Sequence, residues 1–357
     1  MDMFEYQRNL DSLSFTPEQK VKLAAKAVLA AEQKPQKHSF RILKTAAAVF
    51  CLLFALTITA EAAGVQTPLS EFLAPIFGGT VAQTEIIDKI GRPINASDTD
   101  NGVTIQADAI IGDAYNLCIV YTIRRDDGTA LLPENVSGKD LFLGTGSEFT
   151  YSKPLSGHGR IRFADNLPGD DAVRFFYTLS SEKPLNHVTA TADIHDLSYI
   201  DWSVPYEEGD TIQRLTAVKG HWKLRFDIDY DDSSIQLGGG ETFTQDGLNF
   251  TITDLRISPI GIKADYEVDS EMKQSNASNG RLSEEDRLEE ESNVENVEVL
   301  LHKKNGTVLP VTGGVSIEHP KTGKTYVSKS TVFDEIIPLE ELESISVGGV
   351  VYPIPNN

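Results

Sequence analysis

The spacing of apolar positions changes character three times along the chain. Val21, Ala24, Ala25, Val28 and Ala31 recur at helical intervals, with Leu23 and Ala27 beside the stripe. Ahead of them, Thr16-Pro17-Glu18-Gln19 has the form of a helix start: Thr16 as cap, Pro17 at the first helical position and Gln19 completing a capping box. Lys34-Pro35 stops that helix at about Gln33. A smaller apolar set, Phe4, Leu10, Leu13 and Phe15, precedes it.

From Thr45 to Ala60 the polar face disappears altogether (TAAAVFCLLFALTITA). Sixteen helical residues cover roughly 24 Å, and extending the stretch to 42–63 reaches about 33 Å, enough for a hydrocarbon core if Lys44 and Glu61 snorkel outward. Two rivals stand beside a retained span. Ala60-Glu61-Ala62 fits a signal-peptide cleavage pattern, although 44 residues make a long region to precede one. A buried core helix is the third reading. The span is preferred.

Leu69, Phe72, Leu73, Ile76 and Phe77 then form a second helical stripe, which could lie in the membrane interface or pack under the domain that follows; Pro75 is expected to bend or end it. From Gly78 the period falls to two. Val103-Ile105-Ala107, Leu117-Ile119-Tyr121-Ile123, Val173-Phe175-Tyr177-Leu179, Val188-Ala190-Ala192-Ile194 and Trp222-Leu224-Phe226-Ile228-Tyr230 all alternate. Turn signals such as Asn101-Gly102 and Asp127-Gly128 separate them, which predicts antiparallel sandwich architecture. After Gly238-Gly239-Gly240 a second set follows, from Leu248-Phe250-Ile252 to Val350-Tyr352, interrupted by an acidic stretch at 270–296 with the composition of a surface insertion.

Charge sharpens the division. The net charge is −21, yet residues 1–44 hold eight Lys/Arg against five Asp/Glu, which leaves −24 on the remainder. Basic residues just before the apolar segment keep the N-terminus cytoplasmic and export the acidic bulk. An acidic chain of this kind is not expected to bind nucleic acid directly.

Chemistry-bearing motifs are sparse. The seven histidines form no HExxH, no zinc-finger spacing is present, and no GxSxG occurs. His195-Asp196 is the nearest approach to a polar dyad. Gly323-Lys324-Thr325 imitates the end of a P-loop, but Glu318 stands where its first glycine belongs, so a turn is expected. Asp227, Asp229 and Asp231, with Asp232, offer oxygens suited to calcium without EF-hand spacing; a solvated strand edge is the plainer reading. Cys118 reads as a small buried hydrophobe, with no partner for a disulfide in the exported part. No enzyme activity, cofactor or metal is expected.

Three stretches resemble the bacterial family known as domain of unknown function 4179: FEYQRNLDSLSFTPEQKVKLAAKAVLAAEQ at the start, GGTVAQTEIIDKIGRPINASDTDNGVTIQADAIIGDAYNLCIVYTI in the middle, and VKGHWKLRFDIDY followed by DGLNFTITDLRISPIGIKADYEV. The resemblance implies a single-pass membrane protein with immunoglobulin-like ectodomains that acts as an anti-sigma factor. A cytoplasmic sigma factor would be held through Val21, Ala24, Ala25, Val28 and Ala31, and release would follow cleavage near Ala60, Ala62 and Ala63.

The expected plan is therefore mainly β. It comprises a cytoplasmic helical segment (1–41), a transmembrane helix in the lipid bilayer (42–63), a juxtamembrane amphipathic helix (64–79) and two immunoglobulin-like antiparallel β-sandwich ectodomains (80–235 and 236–357). The ectodomain would read an unidentified envelope ligand. The alternative is an extracellular adhesive or scaffold protein with only a membrane tether.

Overall fold

The computed structural model describes residues 69–164, 171–202, 214–271, 296–318 and 323–355, with Ser283, Glu284 and Leu288 between. The chain divides into two compact units, Met1–Thr67 and Pro68–Asn357, and every described residue belongs to the second. The expected partner-binding positions Val21, Ala24, Ala25, Val28 and Ala31 lie outside the described residues. So do the expected span and Ala60, Ala62 and Ala63. Among the described residues no helix is long and apolar enough to cross a membrane.

The described part is mainly β, with every strand pairing antiparallel. It begins with two helices, α1 (Ser70–Phe77) and α2 (Val81–Ile90). The first is the helix expected from the apolar stripe, and it continues two residues past Pro75. The second corrects the expectation that strand periodicity begins at Gly78. Thr80 caps α2 through a full capping box with Gln83, and Lys89 sits in its last turn, where a cation suits the helix dipole.

Two sheets follow. The first has the order β1 (Arg92–Asp100), β2 (Val103–Gly112), β3 (Asn116–Arg125), β7 (Ala172–Ser181), β6 (Gly157–Ala164). The Asn101-Gly102 turn joins β1 to β2 with both residues at positive φ, 47° and 72°, as a tight hairpin requires. In the second sheet β8 (Val188–Ile200) pairs along one side with β9 (Arg214–Ile228) and along the other with β4 (Leu141–Leu143) and β5 (Glu148–Tyr151). The two sheets share one core. Val103, Ile105, Leu117, Ile119, Phe175 and Ile194 meet there around Trp222, which is fully buried and donates its indole N–H to the Val103 carbonyl at 2.8 Å.

β9 leaves an edge of that sheet unpaired, and β1 covers it with side chains. Asp100 accepts from the His221 amide and Asp98 from the Lys223 amide, at 2.9 and 2.8 Å, while the Asn101 amide donates to the Lys219 carbonyl. Carboxylates at this edge leave few amides free to recruit another strand.

Beyond residue 234 a second pair of sheets encloses its own core. One runs β10 (Ile235–Gly238), β12 (Leu248–Ser258), β13 (Gly261–Val268), β17 (Thr325–Val332), β16 (Gly314–Glu318), with β11 (Thr242–Gln245) also on β12. The other runs β15 (Val308–Pro310), β14 (Val299–Lys303), β18 (Leu342–Val347), β19 (Val350–Pro353). Phe250, Tyr266, Leu301 and Ile345 fill the space between them. The glycine run at 238–240 is part of this sandwich: Gly238 ends β10 against the Tyr352 ring, and a Cβ there would lie 2.1 Å from a ring carbon.

A third apolar cluster binds the pieces together. Ala109, Ile111, Cys118, Val120 and Phe176 project from the face of the first sheet that points away from Trp222. Leu73 and Phe77 of α1, Ile87 of α2, and Ile260 and Ile336 of the second sandwich pack on them. Packing under the following domain is thus the arrangement adopted by the α1 stripe. A β-bulge makes this second face possible. Ala107 pairs with Tyr121 but Ala109 with Val120, so Asp108 is an extra residue and the alternation of β2 reverses across it.

Candidate functional site

Several of the most heavily buried polar groups in the described chain gather at the joint between the two sandwiches. Asp113 and Asn116 occupy the β2–β3 turn, and both are almost wholly buried. Asp113 Oδ1 accepts from the Tyr115 and Asn116 amides, each at 2.7 Å, and the Asn116 side-chain amide donates to Oδ2 at 3.1 Å. Ser258, at the end of β12, donates its hydroxyl to the same carboxylate across the joint between the sandwiches. The Ser258 oxygen also accepts from the Ile260 and Gly261 amides, and Ser180 of β7 donates to Asn116 Oδ1 at 2.8 Å. One carboxylate therefore ties β2, β3, β7 and the β12–β13 turn into a single polar knot. Burial pushes its pKa upward, against the opposing pull of Ser258 and the backbone amides.

Contacts around the knot leave little room. A Cβ on Gly261 would stand 2.9 Å from the Asn116 amide group, and one on Gly112 would enter the Tyr230 ring. Further out, Arg162 reaches Asp334 at 2.7 Å and the His158 ring meets the Val315 carbonyl at 2.7 Å. The helices join this assembly by two hydrogen bonds: Gln83 Nε2 donates to the Ile336 carbonyl at 3.1 Å, and the Ile336 amide donates to the Phe77 carbonyl at 2.8 Å. Displacing the second sandwich would thus strip hydrogen bonds and apolar cover from both helices.

The opposite side of the first sandwich is wet. His195 of β8 pairs directly with His221 of β9, and Asp193 pairs with Lys223, so all four side chains share the outward face. The two imidazoles stack with centroids 4.2 Å apart and planes 12° from parallel. His221 Nε2 donates to Asp193 Oδ1 at 2.7 Å, His195 Nε2 lies 3.1 Å from the same oxygen, and Lys223 Nζ takes Oδ2 at 2.6 Å. Hydrogen bonds from Lys223 and His221 pull the Asp193 carboxyl down to about 2. The sequence pointed instead to His195-Asp196. Asp196 occupies a bulge at φ 45° and accepts from the Gly220 amide, apart from this set.

The other candidates disperse. β9 ends at Ile228, before most of the Asp227–Asp232 run. Asp227 accepts from Thr189, Asp229 faces His187 at 3.1 Å, Asp231 faces Arg92 at 3.5 Å, and Asp232 accepts from the Ala114 and Ser234 amides. Gly323 is a turn at φ 75°, and Lys324 pairs with Glu267. Cys118 is buried and free, its thiol pushed up to about 12 by desolvation. Sequence spacing missed both the Asp113 knot and the His195–His221 pair. Neither is a local motif; the first needs Ser258, 145 residues away from Asp113, and the second a strand register.

Residues 34–125 match the family model of domain of unknown function 4179 (DUF4179). The match spans about a quarter of the chain. It covers the region from before the apolar stretch to the end of β3, so the bulge at Asp108 and the Asp113 turn both lie inside it. A crystal structure of a conserved domain protein from Bacillus anthracis is similar at 15% identity, over 75% of this chain and 80% of that one, with a TM-score of 0.45. No curated protein matches the chain.

Proposed function

We propose that the chain is a membrane-anchored signal regulator, an anti-sigma factor whose two ectodomain sandwiches are immunoglobulin-like. The cytoplasmic helix over Pro17–Gln33 holds a sigma factor, residues 42–63 cross the bilayer, and the acidic C-terminal bulk samples the envelope. One observation carries the reading. The first helices after the apolar stretch, α1 and α2, are clamped between the outer face of one sheet and the second sandwich by Phe77, Ile87 and Ile336. A ligand or stress that altered the fit of the sandwiches would loosen the helices that follow the span in sequence. Cleavage near Ala60, Ala62 and Ala63 would then release the partner. Domain folds of this architecture serve many ends, so the proposal depends on the tail having a partner.

The test is capture of the intact protein from native membranes, with mass spectrometry of bait and partners. A sigma factor recovered with an uncleaved bait supports the reading. Substituting Val21→Asp and Val28→Asp should abolish that capture, because the stripe would then carry charge into a buried contact. An intact bait with no cytoplasmic partner would overturn it in favour of a tethered adhesive or scaffold protein. A bait beginning near Ala63 would point to a secreted one.

A further inference from the structure

The outward face of β8 and β9 presents two imidazoles and a carboxylate to one point in space. We propose that Asp193, His195 and His221 form a binding site for a first-row divalent transition-metal ion, of which zinc is the natural probe. Their ligand atoms all lie within 4.8 Å of one another. Both Nε2 atoms already converge on a single oxygen, Asp193 Oδ1, at 2.7 and 3.1 Å. An ion needs its donors about 2.0–2.2 Å from itself and so about 3–3.5 Å from one another, a spacing that the two Nε2–Oδ1 distances already approach, and each Nε2 takes the ion once its proton resides on Nδ1. Two nitrogens with one oxygen suit zinc, nickel or copper and not calcium, which takes oxygens alone.

The backbone holds the donors still. His195 donates its amide to Ser147 Oγ at 2.9 Å, and its carbonyl accepts from the Gly144 amide at 2.8 Å. The His221 amide is fixed on Asp100. Both histidines sit on paired strands, where ligand geometry is better defined than on loops. Their side chains are still open to solvent, 42% and 53% exposed, so an ion has access and three protein donors leave it a free position. Metal binding here would give the wet sheet a ligand chemistry separate from the joint on the other side of the sandwich. The inference does not depend on the regulator reading.

Lys223 provides the most specific test. Its ammonium holds Asp193 Oδ2, leaving Oδ1 for the ion but placing a positive charge beside it. In equilibrium titrations of the tag-free, full-length chain in mild detergent with zinc chloride at neutral pH, one site of micromolar affinity is expected. His221→Ala and His195→Ala should each weaken it at least tenfold, and the double substitution should remove it. Lys223→Ala should tighten binding by up to roughly tenfold, since it deletes a repulsive charge a few ångströms from a dication in a largely aqueous setting. Circular dichroism and thermal unfolding of the metal-free variants establish that each has folded. No zinc binding below about 1 mM, or binding that the double substitution leaves intact, would overturn the assignment.

Discussion

The two sheets of the first sandwich share a core but differ on their outer faces. Along β2, β3 and β7 the first sheet is covered on both sides: Leu117, Ile119 and Tyr121 point to the shared core, while Cys118 and Val120 point to α1, α2 and the second sandwich, and only its edge strands β1 and β6 are largely open. The sheet containing β8 and β9 is dry on one side only. Along β9, Trp222, Leu224, Phe226 and Ile228 are buried while Lys223, Arg225 and Asp227 are exposed. A sheet covered on both faces has little freedom for solvent-facing chemistry and transmits packing changes. A sheet with one wet face can display charged and ligating groups without disturbing its core. Position in the stack, more than residue type, separates the doubly covered sheet of this domain from its solvent-facing one.

The largest expected consequence is at the clamp. Phe77 is fully buried against the outer face of the first sheet. Phe77→Ala removes most of that side chain without polar compensation and should cost about 4 kcal/mol of unfolding free energy. Urea melts monitored by intrinsic fluorescence would measure it. A loss under 1 kcal/mol would mean that the helices contribute little to the sheet they cover, and would weaken the proposed transmission.

Asp113 comes next. Asp113→Ala leaves the Tyr115 and Asn116 amides, the Asn116 side chain and the Ser258 hydroxyl short of an acceptor in a dry site. The expected cost is about 3 kcal/mol. It should also separate the sandwiches in limited proteolysis, with cleavage at 229–234 faster than in the wild type. Ser258→Ala removes the bond across the joint together with the acceptor of the Ile260 and Gly261 amides, and should give the same cleavage with a smaller stability loss.

Much of this arrangement was legible in the sequence, for a simple reason. Strands with one wet face announce themselves by alternation, and so the inward positions of β8 and β9 follow directly from Val188 to Ile194 and Trp222 to Ile228, while those of β3 and β7 keep period two from Leu117 to Ile123 and from Val173 to Leu179. The doubly covered face was harder to see. Ile110-Ile111 and Leu117-Cys118-Ile119-Val120 are continuous apolar runs, which periodicity alone cannot assign to one side. Helix α2 was missed although Thr80 and Gln83 stand at capping-box spacing, because Val81 is exposed and only Ile87 of its apolar residues is fully buried. Asp113 and His221 were invisible for another reason: each takes its meaning from a residue that only the register or the joint brings near.

A smaller effect, of opposite sign, is expected at the bulge that makes the second face. Asp108 is buried there, accepts from Thr122 Oγ1 at 2.6 Å, and has its pKa raised to about 6 by desolvation despite that bond and the pull of Arg174 and Arg124. The native state therefore keeps its proton at pH values where the unfolded chain has lost it. Stability from this group is greatest below about pH 4, falls as pH rises from about 4 to 6, and is flat above. Asp108→Asn should remove that slope and raise stability at pH 7 by about 2 kcal/mol, with little change at pH 4. Urea midpoints at the two pH values decide it; an equal shift at both would mean that the effect is one of packing and not of charge.

The smallest change in stability is expected on the wet sheet, and there it sharpens the comparison most. His221 and Lys223 are more than half exposed, and neither side chain contributes to a core. Pairs of that exposure contribute at most about 1 kcal/mol, so His221→Ala should leave the unfolding midpoint of the metal-free protein within about 0.5 kcal/mol of wild type. With zinc present the outcome should differ. A ligand that binds only the folded chain adds stability in proportion to the logarithm of its concentration over Kd, so wild type should gain about 2.7 kcal/mol at a hundredfold excess over Kd. The His195→Ala/His221→Ala double variant should gain nothing from zinc at the same concentration. If it gained equally, the ion would be acting elsewhere, and the contrast between a doubly covered sheet and one proposed to bind a metal would reduce to a difference in burial alone.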